Sequence, residues 1–265
     1  MAAKAPNVHC ELLTILDTDV ISMEDARAMQ RSTGMSEEKF QQEFMCSFKA
    51  GLENAYYAEL MRMMEKEHRI TRVPYDPRYP VDTSWDLGMD DINSIWFWQC
   101  MPNGVLHAID YYENRNKGMD FYFKILRERP YLYRYHVGPH DLSVREFSSG
   151  VPRWKFAKEH GFPFMYESNK KGSVADGIAA VRAMLPRCYI DADKCNKGIN
   201  ALKSYTAEEV EEKHTLHNKP DHNWASNAAD SIRYFAMQVN KIYKKSLIRT
   251  SNQVIEAIHN YDVFG

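Results

Sequence analysis

Three successive strand-like segments dominate the middle of the chain. They run over residues 83–88, 94–100 and 105–112, and they are rich in the aromatic and β-branched residues that favour strands. The turn Pro102-Asn103-Gly104 separates the second segment from the third, at a length typical of a hairpin. Strands joined by such short turns are antiparallel. The sequence therefore predicts a sheet that opens with three antiparallel strands.

The segments after these strands alternate between helical and strand patterns. A helix over 118–129 ends at a proline, and a strand over 132–137 stops at a Gly-Pro pair. A loop over 141–152 follows. The periodicity beyond it predicts a short helix to residue 160, a strand over 162–166, a helix over 173–185, a strand over 187–190 and helices over 193–205 and 224–245. The order β-β-β-α-β and its continuation predict an α/β fold, with helices flanking a mixed sheet.

The amino-terminal part has a different, helical character. Ser22 and Ser36 are suited to cap two helices, and Asn54 precedes a third. Aromatic residues in the second helix recur at helical spacing and are expected to form a packing face, namely Phe40, Phe44 and Phe48.

A proline-rich stretch between residues 71 and 80 then separates the helical patterns from the strand-like segments that follow. We therefore predict three parts: a helical segment over 1–75, an α/β domain over 76–240 and a basic tail over 241–265.

Composition excludes several classes of protein. The 265 residues are 44% hydrophobic and 26% charged, which is typical of a globular protein and not of a disordered chain or a collagen. The 34 basic and 36 acidic residues nearly balance, so any contact with nucleic acid has to come from local patches. No apolar run reaches the roughly 20 residues of a membrane helix, and the first residues lack the apolar core of a secretory signal.

The number and spacing of the cysteines indicate a reducing compartment. The five cysteines are an odd number and form no C-x-x-C pair, which argues against a disulfide framework or a structural zinc site. We expect reduced thiols and a cytosolic protein.

Common cofactor motifs are missing from the sequence. It contains no G-x-x-x-x-G-K-[ST] phosphate loop, no G-x-G-x-x-G after a strand, no G-x-S-x-G and no H-E-x-x-H. We therefore do not expect this chain by itself to hydrolyse ATP.

Three aspartates at element ends remain as candidates for chemistry. Asp86 is flanked by apolar residues in the first strand, where an unpaired carboxylate would be costly to bury. Asp141 follows the fourth strand, and Asp230 lies in the last helix. Taken singly, Asp86 is also explained as a partnered or strand-end surface residue, Asp141 as a turn former and Asp230 as part of a solvated helix face. Taken together, an Asp in the first strand, one after the fourth and one in a late helix form the ribonuclease-H-like arrangement, in which distant carboxylates converge on divalent metal ions.

These residues resemble the nuclease portion of the large terminase subunit of tailed bacteriophages. The pentapeptide Ser84-Trp85-Asp86-Leu87-Gly88 is similar to the first aspartate motif of that family, and Gly138-Pro139-His140-Asp141 is similar to the second. Residues 221–234 resemble the late-helix signature that contains the third aspartate. Residues 177–182, 188–191 and 198–202 also match the family, and residues 38–48 resemble the segment that joins its motor and nuclease domains.

The resemblance implies a metal-dependent endonuclease that cuts concatemeric phage DNA during genome packaging, by two-metal-ion hydrolysis of phosphodiesters. Asp86, Asp141 and Asp230 would be the catalytic residues and would hold Mg²⁺ or Mn²⁺, two ions per site. The implied partners are double-stranded DNA, the portal protein, the small terminase subunit and the ATPase domain of the same terminase. The protein would act in the host cell cytoplasm, with no membrane contact and without secretion.

Two departures from the family pattern are visible. Many relatives have a histidine three residues before the third aspartate, where this chain has Asn227. An amide cannot carry a proton or ligate through an imidazole nitrogen, so a ligand role at this position is in question. The packaging ATPase with its phosphate loop is also missing, from which we expect the 1–75 segment to join to a motor domain encoded elsewhere, in a longer chain or a split gene.

Further residues are candidates for supporting roles. Those that could surround the metal ligands are Asp90, Asp91, Asp110, His140, Asp221, His222 and Asn227. Those that could contact DNA phosphates lie between residues 145 and 171, around Trp154, and are Arg145, Arg153, Lys155, Lys158, Lys170 and Lys171. A solvated helix face explains the basic residues equally well. The basic tail, with Lys241, Lys244, Lys245 and Arg249, could contact DNA or the portal, or could serve solubility alone.

Two alternatives to the packaging nuclease stay open. The chain could be a non-catalytic docking module that binds the portal or the small terminase. It could also be another nuclease of the ribonuclease-H fold, such as a junction resolvase, which would share the metal ions and prefer branched DNA.

Overall fold

A computed structural model describes residues 13–18, 20–35, 37–45, 55–88, 92–143, 150–166, 174–210 and 215–243. The helices are α1 (Ile15–Thr18), α2 (Met23–Thr33), α3 (Glu37–Met45), α4 (Ala58–Lys66), α5 (Met119–Arg127), α6 (Arg153–Glu159), α7 (Val174–Met184), α8 (Asn196–Ser204) and α9 (226–243). The strands are β1 (Ile70–Thr71), β2 (Val81–Asp86), β3 (Ile92–Cys100), β4 (Leu106–Arg115), β5 (Tyr133–Val137), β6 (Phe164–Met165), β7 (Cys188–Asp191), β8 (Ala207–Val210) and β9 (Thr215–Pro220). Short 3₁₀ helices cover His140–Ser143 and Leu185–Arg187.

The chain divides into two compact units, residues 1–55 and 56–265. The first unit contains α1 to α3. Ser22 caps α2 as predicted, because its side chain accepts a hydrogen bond from the backbone N–H of Asp25, and Gly34 ends the helix in the left-handed conformation. Phe40 and Phe44 contact each other with ring centroids 5.0 Å apart, whereas Phe48 lies outside the described residues.

The second unit is built on a seven-stranded sheet with the order β1-β7-β4-β3-β2-β5-β6. Strands β2, β3 and β4 are antiparallel, while β5 is parallel to β2 and β6 is parallel to β5. This confirms the three antiparallel strands and the ribonuclease-H-like mixed sheet. Strand β7 is parallel to β4, and β1 is parallel to β7, which extends the sheet beyond β4.

Side chains alternate between the two faces of this sheet and form two separate cores. On one face, Trp96 and Trp98 of β3 pack beneath α9, and Trp98 stacks on Phe235 with centroids 4.6 Å apart. On the other face, Trp85 and Phe97 pack with residues of α5. Each fully buried large side chain contributes roughly 1.5–3 kcal/mol relative to an exposed one. The sheet is therefore covered on both sides, as expected for an α/β fold.

Two features of the second unit differ from the expectations. The segment between α8 and α9 forms a β8–β9 hairpin that the sequence did not predict, because residues 207–220 are rich in charge and contain no Gly turn. Helix α4 belongs to the second unit, since its Met61 and Met64 are buried in the core beneath α9. The boundary at residue 75 stays a prediction, and the compact units meet at residue 55.

In the part of the chain that the structure describes, no helix is both long enough and apolar enough to cross a membrane.

Candidate active site at the carboxyl edge of the sheet

Asp86 is the last residue of the central strand β2. It is partly exposed, whereas the five residues before it in the strand are buried. In the antiparallel register with β3 it lies directly opposite Ser94. Because side chains alternate along a strand, Asp86 and Ser84 lie on the same face of the sheet, the face covered by α9. Asp86 is thus presented at the carboxyl end of β2, at the edge of the apolar core instead of inside it.

Asp141 follows the neighbouring parallel strand. Strand β5 pairs with β2 in the register Ser84↔Val137, so both strands end at the same edge of the sheet. The chain turns at Gly138, where a Cβ atom would lie 2.4 Å from Leu142 Cδ1, and it then enters the 3₁₀ helix that contains Asp141. A larger residue here would force the side chains of Leu142 and Phe164 to shift. The parallel pair therefore brings the backbones of Asp86 and Asp141 to one edge.

Helix α9 crosses the same face with its amino terminus at this edge. Ser231 donates a hydrogen bond through Oγ to the carbonyl of Ser84 at 2.8 Å. One turn earlier, the carbonyl of Asn227 accepts a hydrogen bond from Ser94 Oγ at 2.7 Å. Since Ser94 is opposite Asp86, these two bonds place the first turn of α9 over the end of β2.

Asp230 has partners of its own. Its Oδ1 accepts hydrogen bonds from Arg233 Nε at 3.1 Å and from the hydroxyl of Tyr205 at 3.5 Å, and Arg233 Nη2 lies 2.9 Å from the same oxygen. Arg233 is itself buried against Gly177, where a Cβ atom would lie 2.4 Å from its side-chain carbons. The Asp230 carboxylate is thus paired with a buried guanidinium through one of its two oxygens, Oδ1.

The supporting residues have different surroundings. Asp221 accepts a hydrogen bond from Asn223 Nδ2 at 2.8 Å, and the exposed His222 has its Nδ1 3.2 Å from Ser226 Oγ. His140 is exposed in the 3₁₀ helix beside Asp141. Asp90 and Asp91 lie outside the described residues.

Asp110 lies on the other face of the sheet. It forms an ion pair with Arg129 at 2.8 Å, and that guanidinium stacks on Phe97. This placement separates Asp110 from the edge at which Asp86 and Asp141 meet.

The candidate DNA contacts are only partly described. Lys155 and Lys158 are exposed on α6, and Lys155 lies 4.0 Å from Glu159. Arg153 departs from the expectation of a surface contact, because it is 7% exposed and its Nη1 is 3.5 Å from the carbonyl of Leu87. That contact holds the start of α6 beside the residue that follows Asp86. The other three candidates, Arg145, Lys170 and Lys171, lie outside the described residues.

Three residues of the site were not singled out from the sequence. Ser94 and Ser231 join α9 to the strands, and small polar residues within apolar stripes are the signal that could have indicated them. Arg233 follows Asp230 by three residues, a spacing at which helical ion pairs form. Among the described side chains, which do not include that of Asp141, no three His, Cys, Asp or Glu residues converge as metal ligands would.

Comparisons with known proteins identify the fold. No family model matches the chain, and no curated protein matches it. The structure is similar to that of the large terminase from a thermophilic bacteriophage, at 19% identity, covering 84% of this chain and 54% of that one with a TM-score of 0.51. The complex of the same phage terminase with ATP-γ-S matches at 18% identity, over 84% and 54% of the two chains, with a TM-score of 0.51.

The P22 large terminase nuclease domain matches at 14% identity, over 66% and 89%, with a TM-score of 0.49. This chain spans about half the length of the thermophilic phage terminase. The chain therefore has the fold of the matched part of a phage large terminase.

Proposed function

We propose that this protein is a divalent-metal-dependent endodeoxyribonuclease that cuts concatemeric phage DNA during genome packaging. The observation that carries the proposal is the parallel pairing of β2 with β5, which brings Asp86 and the Asp141 turn to one edge under the first turn of α9. The likeness to a phage large terminase supports the same function. Carboxylates from separate elements that meet at a strand edge are a typical setting for phosphodiester hydrolysis.

The donor set fits Mg²⁺ or Mn²⁺. Asp86, Asp141 and Asp230 offer carboxylate oxygens, which are the ligands that hard divalent ions prefer. When bound at these carboxylates, such ions, two per site in this proposal, would supply activation of water and stabilisation of the leaving 3′ oxygen. Asp86 is partly exposed at the strand end, and Asp230 is paired with Arg233 through its Oδ1.

The basic residues of α6 and its flanks would hold the DNA. Because Arg153 contacts the carbonyl of Leu87, α6 begins next to the proposed ligand Asp86. Lys155 and Lys158 on the same helix are exposed and available to phosphates. Arg145, Lys170 and Lys171 complete the proposed contact set. Arg153 would then orient α6 and the end of β2.

The remaining parts of the proposal concern context. We propose the ATPase domain of the same terminase, the portal and the small terminase subunit as partners, in the cytoplasm of the host cell. Within the chain, residues 1–75 would join to the motor, 76–240 would form the nuclease domain and 241–265 would be a basic tail.

Plasmid cleavage with Mn²⁺ tests the function. We expect Asp86→Asn to abolish cleavage while circular dichroism shows an unchanged fold, because the substitution removes a charge without altering size. The matched control is Asp120→Asn, which removes an exposed carboxylate on α5, over the opposite face of the sheet. Cleavage that survives Asp86→Asn would contradict the nuclease assignment.

Two further readouts separate the alternative functions. Preference for four-way junctions over linear duplex would instead indicate a junction resolvase. Normal packaging by a phage that carries Asp86→Asn would indicate a docking module.

A further inference from the structure

One polar side chain at the candidate site has a donor without a partner. The amide nitrogen Nδ2 of Asn227 is inaccessible to solvent and makes no hydrogen bond within the described part of the chain, and the residue as a whole is 5% exposed. Burying an amide donor without an acceptor costs free energy, and nearly all buried polar groups in proteins are paired. An apolar residue of similar size would avoid this cost. The unpaired amide is therefore better explained by the function of the site than by stability.

The position of Asn227 relates this amide to Asp86. The Asn227 carbonyl accepts from Ser94 Oγ, and Ser94 is the antiparallel partner of Asp86, so Asn227 lies over the end of β2. Directly opposite residues in such a pair have Cβ atoms about 4.5–5.5 Å apart. Side chains on a helix lean towards its amino terminus, which for α9 is the edge where β2 and β5 end.

We propose that Asn227 is a positioning residue for Asp86, whose carboxylate accepts a hydrogen bond from the Asn227 amide when a divalent ion is bound. The inference rests on the proposed function. Carboxylates that bind metal ions are usually held by hydrogen bonds from surrounding donors, which fix the orientation of the ligand oxygen. The Asn227 amide has no hydrogen-bond partner among the described residues, and the backbone of Asn227 lies over the strand end that carries Asp86. The amide thus costs stability in the metal-free state and orients the ligand in the metal-bound state.

The test compares metal affinity with metal-free stability. Asn227→Leu keeps the approximate size of the side chain and removes the amide. We expect it to weaken Mn²⁺ binding about tenfold, measured by calorimetry without DNA, since loss of such outer hydrogen bonds typically costs 10–100-fold. The melting temperature of the metal-free variant should be equal to or higher than that of the wild type, because an unpaired donor has been removed.

Two further variants sharpen the comparison. Asn227→His restores a nitrogen donor and should recover most of the Mn²⁺ affinity. Asn200→Leu replaces an exposed asparagine on α8 and should leave the affinity unchanged. Cleavage by Asn227→Leu should fall at low Mn²⁺ concentration and recover when the ion is saturating, because an orienting residue changes affinity more than chemistry.

The outcomes distinguish this inference from the function on which it rests. If Asn227→Leu binds Mn²⁺ as tightly as the wild type, or melts at a lower temperature without metal, the amide is structural and the inference is wrong. In either case the cleavage that Asp86→Asn removes would still support the nuclease. If the wild type neither binds Mn²⁺ nor cuts DNA, the proposed function is wrong, and the inference about Asn227 is then wrong as well.

Discussion

At the scale of single residues, the neighbouring side chains of Asp230 affect its proposed role as a metal ligand. Its carboxylate is bound by Arg233 and by the hydroxyl of Tyr205. Tyr57 stacks on Tyr205, and its own hydroxyl is buried and has no hydrogen-bond partner among the described residues. The carboxylate of Asp230 thus lies in a cluster of polar groups beside the stacked rings of Tyr57 and Tyr205. A metal ion bound through Oδ1 would share that oxygen with Arg233, whose positive charge would oppose the ion.

His136 is a second residue whose charge state the structure determines. It is 3% exposed, and burial lowers the pKa of its imidazole from the usual 6.5 to about 3. Thr83 Oγ1 accepts a hydrogen bond from Trp85 Nε1 at 2.7 Å and lies 2.7 Å from His136 Nδ1. The hydroxyl and Nδ1 are hydrogen-bonded in either tautomer of the neutral ring. A protonated imidazole would place a charge in this buried site.

We predict that the free energy of unfolding decreases as the pH is lowered, because of His136. The unfolded chain binds a proton near pH 6.5 while the folded chain resists it down to about pH 3, so the stabilisation is complete above pH 6.5 and is lost as the pH falls below it. The slope reaches at most about 1.4 kcal/mol per pH unit. Denaturant unfolding at pH 7, 6 and 5 should show a steeper loss for the wild type than for His136→Asn, which keeps an acceptor oxygen for Thr83. Parallel curves would contradict the prediction.

At the scale of elements, α9 and α8 depend on close contact with β3. The indole nitrogen of Trp96 donates to the carbonyl of Ala228 at 3.0 Å, which ties α9 to the middle of the strand. Helix α8 meets the same indole from another side, where a Cβ atom on Gly198 would lie 2.5 Å from Trp96 Cζ2. Trp96 is fully buried and has no space to withdraw. The absence of a side chain at Gly198 therefore sets the approach of α8 to the sheet.

We predict that Gly198→Ala lowers the free energy of unfolding by about 1–3 kcal/mol, as overpacked cores do. A decrease would be informative, because at an unconstrained helical site the change from glycine to alanine raises stability by about 1 kcal/mol. Urea unfolding of the variant measures the change. Asn200→Ala on the exposed side of the same helix is the control, and it should leave stability unchanged or slightly higher. A Gly198→Ala protein as stable as the control would mean that α8 can shift freely.

At the scale of the whole molecule, the two cores lie within the second unit. Among the residues that the structure describes, the buried members of the cluster beneath α9 fall between Tyr57 and Ile242, and those of the cluster on the α5 face fall between Val73 and Phe162. The sheet likewise begins at Ile70. By these measures residues 56–265 contain a complete hydrophobic core, which is the requirement for independent folding.

We predict that a protein that begins at residue 56 folds on its own. It should retain the near-ultraviolet circular dichroism of the buried tryptophans and unfold in one cooperative transition, because no member of either core is removed. Thermal unfolding followed at 222 nm and 290 nm measures this. Loss of the near-ultraviolet signal, with the helical signal retained, would show that residues 1–55 are needed for the packing of the core.

Much of the architecture was predictable because it follows from local chemistry. Alternation and turns predicted β2, β3 and β4, and the proline and glycine residues after α5 and β5 predicted where those elements end. The positions of Asp86 and Asp141 after two strands that turned out to be parallel neighbours were predictable for the same reason. The β8–β9 hairpin was not, because its charged residues carry neither a strand alternation nor a glycine turn.

The sequence by itself thus determined the order of the elements and the residue types at the ends of the strands, since these depend on preferences that act over a few residues. Only the tertiary structure decided which groups meet. Ser94 and Asn227 are 133 residues apart, Tyr205 and Asp230 are 25 apart, and the carbonyl of Leu87 lies 66 residues from Arg153. Such contacts arise from the packing of α9 and α6 against a completed sheet. No local preference encodes them, and they decide which groups lie together at the carboxyl edge of the sheet.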